Sequence, residues 1–229
     1  MDVISHRTDA ATAARNDAAL VAMLGIQCFA LFVAAPVAAL GYPVLKAIAD
    51  LLLFGFIFLV IFVAPDRATR TTAVIASIGG LSTAVLELLL PSTATNLLAH
   101  AGAIVGFLVL SYAVARAVLA PGPITTHRVL GAIVLYLNIA LFFATAYRAI
   151  SDIEPTAFNG LSDSAEGPRG FAALIYFSFV TLTSTGYGDL LPINPIARSL
   201  ANLEAVIGQL YPATLLAWLV ARHLEDKRR

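Results

Sequence analysis

The sequence has few charged residues, a single cysteine and no net charge. Asp, Glu, Lys and Arg make up 12% of the 229 residues, and the formal net charge at pH 7 is zero. Such a chain has no bulk electrostatic attraction to nucleic acid, so we expect no nucleic-acid partner. Cys28 lies in an apolar run. It has no partner for a disulfide within the chain, and we expect it to be a small core residue.

The sequence also lacks the residue clusters that catalysis or metal binding requires. Its four histidines are scattered over tail, span and loop positions without ligand spacing. We therefore predict that the chain is not an enzyme and carries no cofactor. Residues 1–17 have acids and arginines but no apolar run, so we interpret them as a short polar tail and not as a signal peptide.

Apolar sequence is abundant instead. Hydrophobic residues make up 59% of the chain, and a helix needs about 20 of them in succession to cross a bilayer. Six runs are long enough, and they predict an all-α membrane protein with six transmembrane helices. The predicted spans are Ala18–Leu40, Val44–Ala64, Thr71–Leu90, Leu97–Leu119, Val129–Ile150 and Ile196–Val220.

The basic residues indicate how these spans are oriented. Ten of the fourteen Lys and Arg residues lie in the two terminal segments and in or beside the loops after spans two and four, and cytoplasmic segments are enriched in such residues. We therefore expect both termini to be cytoplasmic in a multi-pass protein of the cell membrane, surrounded by lipid. Compact loops and alanine-rich helices favour a bacterial inner membrane.

The run Thr181-Leu-Thr-Ser-Thr-Gly-Tyr-Gly-Asp189 separates spans five and six. Glycine adopts left-handed dihedrals that other residues avoid, so an extended backbone with alternating glycines can turn successive carbonyl oxygens the same way. Carbonyl oxygens aimed at one axis replace the hydration shell of a cation. The preceding run, residues 170–183, is too short to cross a bilayer and predicts a re-entrant helix. The alternative is a turn without an ion pathway, although irregular backbone at membrane depth must be buried or line a cavity.

This part of the chain resembles the potassium-channel pore family, over roughly Val129 to Leu224. The resemblance implies a pore domain at residues 129–224, with an outer helix, a pore helix, a filter and an inner helix. It leaves residues 18–120 as a four-helix transmembrane domain of unknown role. One filter motif per chain implies a homotetramer with K⁺ as its permeant ligand. The implied K⁺ ligands are Ser184, Thr185, Gly186 and Tyr187, and Gly188 completes the filter.

Two filter positions depart from the commonest family pattern, Thr-Val-Gly-Tyr-Gly. Ser184 replaces Thr and keeps the hydroxyl of the innermost ion site. Thr185 replaces Val and adds a hydroxyl that faces away from the pore and needs a partner behind the filter. A filter softened at this position would lose selectivity. A non-selective monovalent cation channel is therefore the alternative to a potassium-selective one.

The resemblance also implies residues that support the filter. Tyr176 and Phe177 are expected to pack against Tyr187 as an aromatic cuff, although aromatic side chains are also common at membrane interfaces. Asp189 is expected at the outer mouth of the pore, where four copies would attract cations.

Glu204 is an acidic residue inside the last predicted span, where a charge is costly unless it faces protein or water. We expect its carboxyl group to support the filter from behind by bonding Thr181, Thr183 or Thr185. The alternative is a structural hydrogen bond without effect on conduction.

Gly208 and Pro212 predict a gating hinge in the inner helix, because two helix-breaking residues share one turn. Membrane helices also contain Gly and Pro without any gating role. A voltage sensor would need Arg or Lys at every third position of the fourth span. Leu97–Leu119 offers only Arg116, so we predict weak or absent voltage dependence and leave the opening stimulus open.

Overall fold

The computed structural model describes residues 20–38, 40, 67–90, 92–119, 126–161 and 168–228. The predicted tail and the predicted second span, Val44–Ala64, lie outside these residues. The described part of the chain is almost entirely helical. Its helices are α1 (residues 20–38), α2 (Arg67–Leu89), α3 (Thr93–Leu119), α4 (Thr126–Ile153), α5 (Pro168–Leu182) and α6 (Pro195–Arg228).

Helix α1 contains a π-helical turn, Ala30–Ala34, in which the Ala35 N–H bonds the Ala30 carbonyl. Pro36 lies just beyond this turn. In a regular α-helix its ring would clash with the carbonyl four residues earlier, and it has no N–H to donate. The wider π turn accommodates the proline without ending the helix.

Side-chain caps set the start of two helices. Ser92 and Thr95 form a reciprocal capping pair before α3, in which each backbone N–H donates to the other's hydroxyl, at 2.9 and 3.2 Å. Asn194 Oδ1 accepts the N–H groups of Ile196 and Ala197 at 2.8 and 3.1 Å. Pro195 follows as the first residue of α6, where its missing N–H costs nothing.

A two-stranded ribbon brackets α5 and the motif. Strand β1, Phe158–Asn159, pairs antiparallel with β2, Leu191–Pro192, so that Phe158 lies opposite Pro192. Two residues per strand are too few to produce a readable alternation, and the all-α prediction therefore omitted the ribbon. It holds the segments that precede α5 and follow the motif beside each other.

Helix α4 lies at the centre of the packing, against α3, α5 and α6, while α2 packs on α3 and the end of α1 packs on α5. One buried cluster draws Leu31 from α1, Phe107 from α3, Leu137 from α4 and Ile175 from α5. The first helices and the region around the motif therefore share a hydrophobic core. The division of the chain into residues 18–120 and 129–224 stays a prediction.

Three helical segments among the described residues are long and apolar enough to cross a membrane: Leu20–Val37, Thr93–Arg116 and Arg128–Ile153. The helical membrane class is thus confirmed in outline, and six spans remain a prediction. Helix α2 corresponds to the third predicted span but begins with Arg67 and Arg70. Helix α6 corresponds to the sixth and contains Arg198 and Glu204.

Asn138 joins α4 to α3 through a polar contact in the apolar core. Its fully buried Nδ2 donates to the Phe107 carbonyl at 3.0 Å and to Ser111 Oγ at 2.5 Å. We predict that Asn138→Leu lowers stability by about 1 kcal/mol, since polar contacts between membrane helices contribute roughly 0.6 to 1.7 kcal/mol. Thermal unfolding in detergent measures the loss. Ser111→Ala, which removes only one of the two acceptors, should cost less, and an unchanged Asn138→Leu melting curve would contradict the prediction.

Candidate functional site

The backbone that follows α5 alternates in handedness. Ser184, Gly186 and Gly188 have φ values of +55°, +61° and +79°, and the residues between them do not have positive φ. Glycine adopts this region without penalty, whereas a residue with a side chain pays about 1–2 kcal/mol. Ser184 is the only non-glycine residue with positive φ in the described part of the chain. An alternation of this kind is what the sequence predicted for a segment whose carbonyl groups face one side.

A Schellman motif closes α5 and explains the conformation of Ser184. The Thr185 N–H bonds the Val180 carbonyl at 2.9 Å, and the Ser184 N–H bonds the Thr181 carbonyl at 2.9 Å. These two bonds satisfy carbonyl groups in the last turn of the helix. They require a left-handed backbone at the first residue after the cap, which is Ser184 here and is usually glycine. The first residue of the predicted filter is therefore also the residue that ends the helix.

Residues 183–189 are all exposed in the single chain, and aromatic stacking supports their far end. The rings of Tyr176 and Tyr187 are stacked, with centroids 6.3 Å apart and planes 3° apart. The Tyr176 hydroxyl donates to Asp189 Oδ2 at 2.8 Å. Tyr176 thus lies against Tyr187, as expected of a supporting aromatic, and also holds the carboxylate that follows the motif.

Phe177 lies elsewhere. Its ring is buried 5.0 Å from Tyr147 and 5.6 Å from Phe158, in an aromatic cluster between α4, α5 and the ribbon. In a helix, neighbouring residues point in directions about 100° apart, so Tyr176 and Phe177 cannot both face Tyr187 of their own chain. Within one chain, Phe177 packs behind α5.

The hydroxyl of Thr185 has a partner. Thr183 Oγ1 donates to the Phe179 carbonyl at 2.7 Å and lies 2.8 Å from Thr185 Oγ1. Because Thr183 uses its only hydroxyl hydrogen on the carbonyl, Thr185 is the donor in the second bond. The partner that the sequence required for Thr185 is therefore Thr183, at the end of α5.

Glu204 is fully buried, and its partners differ from those predicted. Instead of the threonines, its carboxyl oxygens contact the Tyr147 hydroxyl, at 2.6 Å, and the Ser178 hydroxyl. Tyr147 lies on α4 and Ser178 on α5, so the three side chains join α4, α5 and α6. We call them the Glu204 clamp. The prediction failed because Ser178 lies nearly a full turn before the threonines and on the buried face of α5, which the sequence alone does not align with α6.

Gly208 allows α6 to approach the end of α5 closely. A Cβ atom at this position would meet the carbonyl oxygen, carbonyl carbon and Cα of Leu182. The structure therefore gives Gly208 a packing role, and the hinge stays a prediction. Pro212 lies inside α6, which continues as a helix through it.

Sequence reasoning missed the polar side chains of α4 and α6 beside this contact. The Gln209 Nε2 donates to Ser184 Oγ at 2.7 Å. The Tyr211 hydroxyl donates to the Ala132 carbonyl at 2.7 Å, and its ring lies 5.5 Å from that of Tyr136. The signal that could have found them was their polarity, since an uncharged polar group in an apolar span needs a partner.

The ribbon approaches the motif from the other side. Gly160 has φ +87°, and a Cβ atom there would collide with the Asp189 carbonyl oxygen. Beyond the ribbon, Asp152 at the end of α4 bonds His100 and Arg148, each at 2.8 Å. No group of three or more His, Cys, Asp or Glu side chains within the described residues is placed to hold a metal ion.

The numbers of hydrogen-bond donors and acceptors in the Glu204 clamp lead to a testable prediction. The Ser178 hydroxyl lies 2.8 Å from the Ala140 carbonyl, which can only accept. If Ser178 donates there, residue 204 must donate to Ser178 while it accepts from Tyr147. A glutamine does both, so we predict that Glu204→Gln keeps near-native stability. Glu204→Leu should lose about 1–3 kcal/mol, because it leaves the buried Tyr147 hydroxyl without its partner, whereas Ser178 keeps the Ala140 carbonyl.

Thermal unfolding of both purified variants in detergent tests this pattern. Tyr147→Phe serves as a graded control that removes one donor and leaves the ring packing in place. Equal losses in the glutamine and leucine variants would show that the assigned hydrogen-bond pattern is wrong.

Gly208→Ala should destabilise the protein by about 1–3 kcal/mol, because the methyl group overpacks against backbone atoms of Leu182 that cannot rotate away. Gly106→Ala on α3 is the matched control, since nothing lies within 4 Å of its Cβ position. Melting temperatures of the two variants give the comparison. A Gly208→Ala protein as stable as the Gly106→Ala protein would contradict the packing role.

Comparison with known proteins gives matches for the part of the chain that contains this site. An ion channel family model matches residues 131–223. The chain is 36% identical over 88 residues to the inward rectifier potassium channel Kirbac3.1 of Paramagnetospirillum magnetotacticum, an alignment that covers 38% of this chain and 27% of that relative. It is 34% identical over 84 residues to Protein LctB of Bacillus caldotenax, covering 35% of this chain and 61% of that relative.

These alignments span less than two thirds of the length of either relative. No solved structure matches the chain significantly. The family match nevertheless covers most of α4, all of α5, the motif and most of α6. Residues 131–223 therefore match the ion channel family, and the comparisons support the resemblance of this part of the chain to potassium channels.

Proposed function

We propose that four copies of the chain form a channel that conducts K⁺ passively across the membrane. The observation that carries this proposal is the alternating backbone at Ser184, Gly186 and Gly188, placed between a short helix and a long one. Carbonyl groups of residues 184–187 and the Ser184 hydroxyl would bind the dehydrated ion, and Gly188 would end the filter.

The exposure of the motif supports a homotetramer. Residues 183–189 are exposed in the single chain, and Tyr187 is 70% exposed. Polar irregular backbone is not stable against lipid, so this surface must face protein or water. The carbonyl groups of one chain would supply only a quarter of the ligands around an ion, and four copies around an axis would complete the coordination.

Potassium selectivity is favoured over non-selective cation conduction by the contact behind the filter. A free Thr185 hydroxyl would leave a polar group unsatisfied and the segment loosely held. The bond to Thr183 removes this weakness, and the stacked Tyr176 fixes Tyr187 further along. Together with Asp189 and the Glu204 clamp, these contacts would hold the filter at a constant width.

Opening is proposed to depend on α6 and to respond weakly to voltage. Gly208 and Pro212 mark the region of α6 where bending would occur. Helix α3 has one basic residue, Arg116, whose guanidinium lies 5.9 Å from the Tyr112 ring centroid. We further propose that both termini are cytoplasmic in a bacterial inner membrane, and that the protein acts without catalysis or cofactor.

Reversal potentials in planar bilayers test the proposal. With K⁺ on one side and Na⁺ on the other, the wild-type protein should reverse near the potassium equilibrium potential. Gly186→Ala should abolish the current, because its left-handed backbone (φ +61°) disfavours any side chain. Gly106→Ala on α3 is the control and should conduct normally. Reversal near zero would support the non-selective alternative, and a conducting Gly186→Ala protein would contradict the filter assignment.

A further inference from the structure

We propose that Gln209 is a positioning residue for ion selectivity, which acts by fixing the hydroxyl of Ser184. The inference rests on the proposed function and extends it to a residue of α6. Its central observation is the hydrogen bond from Gln209 Nε2 to Ser184 Oγ, at 2.7 Å. Both side chains are exposed in the single chain, on the surface that four copies would turn toward the pore.

The geometry of Ser184 gives its side chain an unusual importance. A left-handed residue that closes a Schellman motif is usually glycine, which has no strain there. Ser184 has the same conformation with a side chain, at φ +55°. A serine at this position has a backbone cost that glycine would avoid, and its hydroxyl is the group that a glycine would lack. The contact that the structure gives it is Gln209.

Serine also needs such a partner more than threonine does. A threonine side chain is restricted about χ1 by its branched Cβ, whereas a serine hydroxyl moves among three staggered positions. The bond from Gln209 selects one of them. A hydroxyl oxygen has two lone pairs, so Ser184 can accept from Gln209 with one and bind a cation with the other.

The fold fixes the distance from Gln209 to Ser184. Gly208 brings the backbone of α6 against Leu182, two residues before Ser184. Tyr136 and Tyr211 secure the same region, because Tyr136 donates to the Leu182 carbonyl at 3.4 Å and Tyr211 bonds α4. Gln209 therefore reaches Ser184 from a helix that is held at this depth.

A double-mutant cycle tests the proposal on the full chain in planar bilayers, with the potassium-to-sodium permeability ratio as the readout. Gln209→Leu keeps the side-chain bulk and removes the donor. We expect it to lower the ratio about three- to tenfold, the size of one hydrogen bond. In a Ser184→Thr background the same change should lower the ratio less than about twofold, because threonine orients its own hydroxyl.

Controls separate this mechanism from a general effect on α6. Thr214→Val removes a hydroxyl that bonds only the backbone of its own helix and should leave the ratio unchanged. If Gln209→Leu fails to assemble, Gln209→Asn replaces it, since asparagine keeps the amide but is too short to reach Ser184.

Each outcome decides a separate question. Equal losses in the wild-type and Ser184→Thr backgrounds, or no loss in either Gln209 variant, would overturn the positioning role while the channel itself stands. A wild-type protein without potassium selectivity would overturn the proposed function and this inference with it.

Discussion

Helix α5 ends in an apolar region, and the carbonyl groups of its last turn must find hydrogen-bond donors there. This requirement determines the structure around the end of the helix. The last carbonyl groups of a helix need donors, because no later turn of the helix supplies them. The N–H groups of Ser184 and Thr185 do so instead, at the cost of a left-handed serine. The same closure starts the alternation of backbone handedness that continues at Gly186 and Gly188.

The motif is therefore held at both ends by different means. At its start, the cap of α5 and the contact of Gly208 with Leu182 fix the backbone. At its end, Tyr176 bonds Asp189, and the ribbon brings Gly160 against the Asp189 carbonyl. The Glu204 clamp then joins α5 and α6, which carry contacts at both ends of the motif, to α4. A segment with exposed polar backbone gains a defined shape because most of its supports come from residues outside it.

The sequence predicted the elements better than the contacts between them. Apolar runs placed α3 and α4 to within a few residues, and the glycines at 186 and 188 indicated left-handed backbone. The sequence did not reveal the helix cap at Ser184, because a Schellman motif is normally identified in a sequence by a glycine at this position. The two partners of Glu204, Ser178 and Tyr147, lie 26 and 57 residues before it in the chain, on other helices. No local sequence pattern predicts contacts between residues that are so far apart in the chain.

The packing of α6 also limits where this helix can bend. Gly208 contacts the backbone of Leu182, and Tyr211 is tied to the Ala132 carbonyl of α4. Bending at Gly208 would break the first contact and pull Gln209 away from Ser184. Pro212 lacks the N–H that would bond the Gly208 carbonyl, so the turn between these two residues is held less tightly than the rest of α6. A movement of the part of α6 that follows Pro212 would leave the contacts of Gly208 and Gln209 in place, so in the proposed channel the opening of α6 and the selectivity of the motif can be separate properties.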